Sequence, residues 1–181
     1  MRIQFENERL IGLLIGGNPT LYDLHKVVCR ALPDNHRERY LFSFYRDESG
    51  TQLLIDPGKS GTAFQSVVQG DRFMFGVRLH PVQRQGSRER VVPPAERENW
   101  AIRKLFANGF DIEEIVTSDF EWEPFGKKKM KVASLWIYAK GRIREIDLAQ
   151  KALEFGIGRM RAFGFGMIVP NLTDLENGEI A

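Results

Sequence analysis

Cysteine occurs once in the 181 residues, as Cys29, and that scarcity excludes an intramolecular disulfide framework and a cysteine-rich zinc site. A lone cysteine is more often a small buried apolar side chain than a nucleophile. Histidine is nearly as scarce. His25, His36 and His80 show no metal-ligand spacing beyond the His25/Cys29 pair at i, i+4, and there is no H-E-x-x-H and no C-x-x-C. The chain is therefore expected to work without a metal or other cofactor. Long apolar runs are missing too: Leu10 to Ile15 is far short of the roughly 20 residues that span a bilayer. Arg2 is followed by Glu6 and Glu8, which is not the charge order of a secretory signal. These absences predict no membrane partner and a cytoplasmic address. The apolar and charged fractions, 43% and 28%, are those of an ordinary globular protein.

Net charge is close to balance at +2, but the charges are segregated. Arg78, Arg84, Arg88, Arg90, Arg97, Arg103 and Lys104 occupy one block against three acidic residues. Asp111, Glu113, Glu114, Asp119, Glu121 and Glu123 form the next, followed by the basic block Lys127, Lys128, Lys129, Lys131, Lys140, Arg142 and Arg144. Basic blocks folded onto one face would suit a nucleic-acid backbone; a charge run is more often only a solvated face, here two hairpin loops.

Hydrophobic periodicity predicts strands over Ile3 to Ile15, Tyr40 to Tyr45, Thr51 to Ile55 and Phe73 to Leu79. A helix over Leu21 to Leu32 and a short one over Ala63 to Val68 complete a β-α-β-β-α-β order. The Arg-, Gln- and Pro-rich stretch from Pro81 to Pro94 reads as a loop or hairpin connecting two halves. A second cycle begins with a possible short strand at Val91-Val92 and a helix over Ala95 to Ala107. Strands over Asp111 to Trp122 and Lys131 to Ala139, a helix over Glu145 to Phe155 and a last strand over Phe165 to Val169 follow. The expected fold is α+β, two tandem ferredoxin-like (RRM-like) domains. The expected boundaries are 1–80, a basic connection 81–94, a second domain 95–170 and a polar tail 171–181.

Glycine is abundant in one place, Gly156-Ile157-Gly158-Arg159-Met160-Arg161-Ala162-Phe163-Gly164-Phe165-Gly166. It is neither a G-x-G-x-x-G fingerprint nor a P-loop, since Arg161 stands where glycine is needed and no G-K-[ST] follows. Gly156, Gly158, Gly164 and Gly166 would let backbone approach a phosphate that Arg159 and Arg161 pair with; a glycine-rich turn with solvated arginines is the alternative.

The first helix carries the candidate chemistry. With Thr20 as N-cap and Asp23 three residues on, Leu21, Leu24, Val27, Val28, Ala31 and Leu32 make an apolar arc with His25 at its edge. Tyr22, Lys26, Cys29 and Arg30 lie beyond it. RNA cleavage by its own 2′-hydroxyl needs a proton acceptor, a proton donor and positive charge on the phosphorane. His25 can serve either proton role, Tyr22 can orient or donate, and Lys26 and Arg30 can hold the phosphate. A boundary histidine beside a tyrosine is the plainer reading of the same face.

Leu21-Tyr22-Asp23-Leu24-His25, with Pro33 eight residues after the histidine and then Phe42-Ser43-Phe44, resembles the N-terminal motif of the CasE-type CRISPR RNA-processing endoribonucleases. Phe155 to Ile168 resembles their glycine-rich signature, with Arg161 at its basic position. Val77-Arg78-Leu79-His80-Pro81 and Trp100 to Leu105 are similar to their interior landmarks. The chain departs from the pattern at Cys29, where an aromatic residue is common, and at Arg159, where a small residue or proline is frequent. The resemblance implies a tandem RAMP fold and binding of a CRISPR repeat stem-loop. It implies metal-independent cutting of pre-crRNA to crRNA with 2′,3′-cyclic phosphate and 5′-hydroxyl ends, and retention in Cascade with its other subunits as partners. It assigns catalysis to His25 with Tyr22. RNA binding would fall to Lys26, Arg30, Arg161 and the basic stretch with Arg78, Arg84, Arg88, Arg90 and Arg103. A non-catalytic RNA-hairpin-binding subunit remains the alternative.

Overall fold

The computed structural model describes residues 11–32, 40–48, 50–56, 69–70, 72–118, 120–126 and 130–170. The short helix expected over Ala63 to Val68, His36, the lysines at 127–129 and the polar tail lie outside them. The first unit contains β1 (Ile11–Ile15), α1 (Leu21–Ala31), β2 (Phe42–Asp47) and β3 (Gly50–Ile55), with β3 antiparallel to both β1 and β2. Leu21, Leu24 and Val28, at helical spacing, bury one stripe of α1 against Phe42, Phe44, Leu53 and Ile55, the inward positions of β2 and β3.

The helix starts where it does because Thr20 and Asp23 form a complete capping box. Thr20 Oγ1 accepts from the Asp23 amide at 3.2 Å, and Asp23 Oδ2 accepts from the Thr20 amide at 3.2 Å and from its hydroxyl at 2.7 Å. With Lys26 at 2.7 Å as the larger influence and Thr20 next, the Asp23 carboxyl is held well below the usual carboxylate range, at about 2. A depressed folded value means that this contribution is complete above the ordinary carboxylate range and is lost as pH falls through about 2. Half the side chain is exposed, so the effect on stability is small. Thr20→Ala, which removes the cap itself, is expected to cost about 1 kcal/mol in a urea titration at neutral pH. The stability deficit of Asp23→Asn is expected to vanish near pH 2.

The second unit comprises β4 (Arg72–Leu79), a hairpin of β5 (Val82–Gln85) and β6 (Arg88–Val91), α2 (Arg97–Phe106), β7 (Phe110–Thr117), β8 (Glu121–Pro124), β9 (Lys131–Ile143), α3 (Ile146–Phe155) and β10 (Ile168–Pro170). Its sheet runs β10-β4-β9-β7, all antiparallel, with β8 continuing beyond β7 along β9. Taking β4 as first strand, that order sets the fourth beside the first, then the third and the second, which is the ferredoxin-like arrangement. The fold is thus a tandem of ferredoxin-like units, but the division differs from the sequence reading. Phe73 to Leu79 opens the second unit instead of closing the first, and residues 81–94 form a hairpin inside that unit instead of a connection between halves. Alternation along a strand shows which side chains face a core; it does not show which sheet the strand joins.

β4 is covered on both faces. Phe73, Phe75, Val77 and Leu79 pack beneath Trp100, Ala101 and Leu105 of α2 and Ala149, Ala152 and Leu153 of α3, whereas Arg78 faces the first unit. The β7–β9 register also disposes of part of the second basic block. Arg142 bonds Glu113 at 2.6 Å and Lys140 bonds Glu114 at 2.8 Å, so cross-strand pairing neutralises these two members of it against the acidic block.

Candidate functional site

His25 lies at the seam between the units because its ring reaches the loop after α3. Its Nδ1 is 2.9 Å from the carbonyl oxygen of Ala162, so Nδ1 donates there and Nε2 is the nitrogen with a free lone pair in the neutral ring. Phe163 packs against the ring at 5.3 Å between centroids, and the Cys29 sulfur sits 3.7 Å from Nε2. Tyr22, one helical turn back and 49% exposed, has its ring 6.4 Å from the imidazole, and its amide donates to the Phe125 carbonyl at 3.0 Å. Lys26 stands over the Tyr22 ring at 5.1 Å while bound to Asp23. An ion pair this exposed contributes little, so an arriving phosphate can compete for the ammonium. Arg30 is exposed in the last turn of α1, with no ion-pair partner among the described residues.

The glycine-rich loop is folded for packing as much as for access. Gly164, at φ 86°, is buried, and a Cβ there would lie 2.7 Å from the Phe44 ring and 2.8 Å from the Phe42 ring. Gly166, at φ 82°, has the Ile157 carbonyl against the place a Cβ would take, and its own carbonyl accepts from the Ile157 amide at 2.8 Å. Gly156 likewise faces the Gly166 carbonyl and Leu41. These three glycines therefore admit the chain's own backbone and rings, where the sequence suggested the approach of a phosphate; only Gly158 is exposed. Ile157 anchors the loop in the second core and Phe165 in the first, which fixes the Ala162 carbonyl beneath His25. Arg161 turns back to donate to the Phe155 carbonyl at 2.7 Å. Arg159 turns the other way and pairs with Glu89 on β6.

Arg78 requires a correction. Expected among the RNA-binding residues, it is 2% exposed, and its two terminal nitrogens donate inside the protein. Nη1 donates to Glu123 Oε1 and Ser134 Oγ, both at 2.8 Å, Nη2 donates to the Phe44 carbonyl at 3.0 Å, and the guanidinium lies 4.0 Å from the centre of the Phe44 ring. Burial pulls its pKa down to about 10 while Glu123 opposes the shift. Glu123 also accepts from Arg46 at 3.0 Å, so β2, β4 and β8 meet at one carboxylate, and β9 joins them through the bond from Arg78 to Ser134. The arginines with a free outlook are elsewhere. Arg84, Arg88 and Arg90 on the hairpin and Arg103 on α2 are exposed, and none has an acidic partner among the described residues.

Sequence reasoning missed the Ala162 carbonyl, Phe163 and Glu123. The first two act through a docking across 137 positions that leaves no local signal. Glu123 sits in a block whose alternation with apolar residues points to a solvated strand face.

No helix among the described residues is long and apolar enough to cross a membrane. The model of the family described as CRISPR associated protein matches residues 59–169. Solved structures share the fold over 90% of this chain. A CRISPR endoribonuclease Cse3 bound to a 19-nucleotide RNA is 19% identical with a TM-score of 0.72 over 99% of its length. Thermus thermophilus Cse3, bound to an RNA representing a pre-cleavage complex, is 18% identical with a TM-score of 0.73 over 98%. The CRISPR-associated protein Cas6e of Escherichia coli K-12 is 18% identical with a TM-score of 0.66 over 99%. No curated protein matches the sequence.

Proposed function

The chain belongs to the CRISPR associated protein family, and from that premise we propose that it is a CasE-type endoribonuclease that binds the stem-loop of a CRISPR repeat transcript and cuts pre-crRNA without a metal. The observation that carries this reading is the 2.9 Å contact from His25 to the Ala162 carbonyl, through which the two motifs most specific to the resemblance meet at one point. The RNA-bound Cse3 structures of the same fold support it.

The chemistry follows from the arrangement. The substrate's 2′-oxygen loses its proton and bonds to the adjacent phosphorus, the bond from phosphorus to the 5′-oxygen breaks, and that oxygen takes up a proton. The products are a 2′,3′-cyclic phosphate and a 5′-hydroxyl. His25, with Nδ1 occupied by Ala162, exchanges a proton at Nε2, and Tyr22 orients or protonates beside it. Lys26, Arg30 and Arg161 supply positive charge to the phosphorane oxygens. The exposed arginines of β5, β6 and α2 hold the duplex stem by its phosphates. The product stays bound, and the complex joins the other subunits of Cascade.

Purified protein incubated in EDTA with repeat RNA is expected to make one cut, with a cyclic phosphate on the 5′ fragment, resolved on a denaturing gel. RNA that shifts but stays intact would identify a hairpin-binding subunit instead. Absence of any interaction at moderate salt would remove the RNA assignment altogether.

A further inference from the structure

His80 stands at the junction of β4 and β5, away from α1, and the chemistry above makes no use of it. Its Nδ1 lies 2.7 Å from the Ala133 carbonyl, so Nδ1 donates there and Nε2 remains for another partner. The ring borders a cavity of about 40 Å³ together with Lys104 of α2, Gly158 and Arg159 of the glycine-rich loop, and the apolar walls of Leu79, Val82 and Trp100. Lys104 reaches it along the Gly158 backbone, its Cε 3.8 Å from where a Gly158 Cβ would be. Its ammonium has neither a hydrogen bond nor an ion pair among the described residues. Arg159 has a carboxylate partner, Glu89 of β6, but both side chains are about half exposed or more. Three segments remote in sequence thus bring an imidazole, an ammonium and a guanidinium around a space sized for one or two oxygen atoms. Among the described residues, the carboxylate paired with this cluster is Glu89, in a surface ion pair that contributes little.

Resting on the RNA-binding reading above, we propose that this cavity seats the oxygens of one backbone phosphate of the RNA stem. Lys104, Arg159 and a protonated His80 hold it, and Glu89 occupies Arg159 until the phosphate arrives. A phosphate accepts several charge-assisted hydrogen bonds at once and so outcompetes a single exposed carboxylate. In the free chain burial lowers the His80 pKa, opposed by the Ala133 bond and aided by the nearby Arg159 charge. The charged groups facing the ring are Arg159, Lys104 and, through Arg159, Glu89; the remaining walls are uncharged. The single negative charge of a backbone phosphodiester in the cavity reverses that balance, and binding takes up a proton.

The test is fluorescence anisotropy of labelled repeat hairpin RNA with the full chain in EDTA across a potassium chloride series. Lys104→Gln is expected to raise Kd about ten-fold and to reduce the slope of log K against log salt by about 0.7–0.9, the signature of one lost phosphate contact. Glu89→Gln, which frees Arg159, is expected to tighten binding about three-fold. His80→Asn keeps a donor for Ala133, and it is expected to lose the excess affinity that the parent shows at about pH 6 over about pH 8. An unchanged salt slope in Lys104→Gln, or weaker binding in Glu89→Gln, overturns the phosphate seat while the parent's binding keeps the RNA assignment intact. An unchanged pH ratio in His80→Asn overturns the proton uptake. A parent chain that binds no repeat RNA overturns both readings.

Discussion

His25→Ala is expected to lower the single-turnover rate of repeat-RNA cleavage by about 10²–10⁴-fold, the usual contribution of a positioned acid-base group. The affinity for the hairpin should change far less, because the proposed function assigns the stem to the exposed arginines of the hairpin and α2 and not to the imidazole. The ring is positioned from two sides: the Ala162 carbonyl fixes Nδ1 as the protonated nitrogen, and Phe163 limits its rotation. Removing it also removes a contact between α1 and the glycine-rich loop, so thermal unfolding of the variant should accompany the rate. A rate within a few-fold of the parent in a folded variant would move the chemistry off His25. Quantifying binding and cleavage on the same RNA separates that outcome from a general loss of the site.

Glu123→Ala is expected to destabilise the chain by about 3–5 kcal/mol in a denaturant titration, because it leaves the buried Arg78 guanidinium without its counter-charge. Ser134 and the Phe44 carbonyl would still accept from Arg78, but neither carries charge, and Glu121 reaches it only at 3.7 Å from an exposed position. Arg46 would lose the same carboxylate. Replacing both Arg78 and Glu123 by apolar residues of similar volume should cost markedly less than Glu123→Ala alone, since no charge is then left stranded. A single variant within about 1 kcal/mol of the parent would show that solvent reaches this network. The consequence for function is indirect. The Phe44 ring beneath Arg78 is also what Gly164 packs against, so loosening this point loosens the loop that presents Ala162 to His25.

Much of the fold was legible because local patterning is a direct imprint of local packing. The stripe Leu21, Leu24 and Val28 and the capping pair Thr20 and Asp23 set α1 within a residue of its expected end, and Pro94 and Gly156 bracket α2 and α3 where chain chemistry demands. The strand expected over Asp111 to Trp122 divides into β7 and β8, and the last strand is confined to Ile168–Pro170. Alternation carries through such breaks, and backbone hydrogen bonding does not.

The sequence by itself determined the helix that bears Tyr22 and His25, the glycine-rich loop, the succession of most strands and helices and the chemical character of each segment. Those features depend on side-chain periodicity, caps and backbone freedom, all set within a few residues. Only the tertiary structure decided which sheet β4 joins, that Arg78 is an internal ion-pair partner, that Glu113 and Glu114 neutralise Arg142 and Lys140, and that Ala162 meets His25. Each of those outcomes is a pairing between residues tens of positions apart. Its free energy depends on what the partner surface offers, and no local pattern records it.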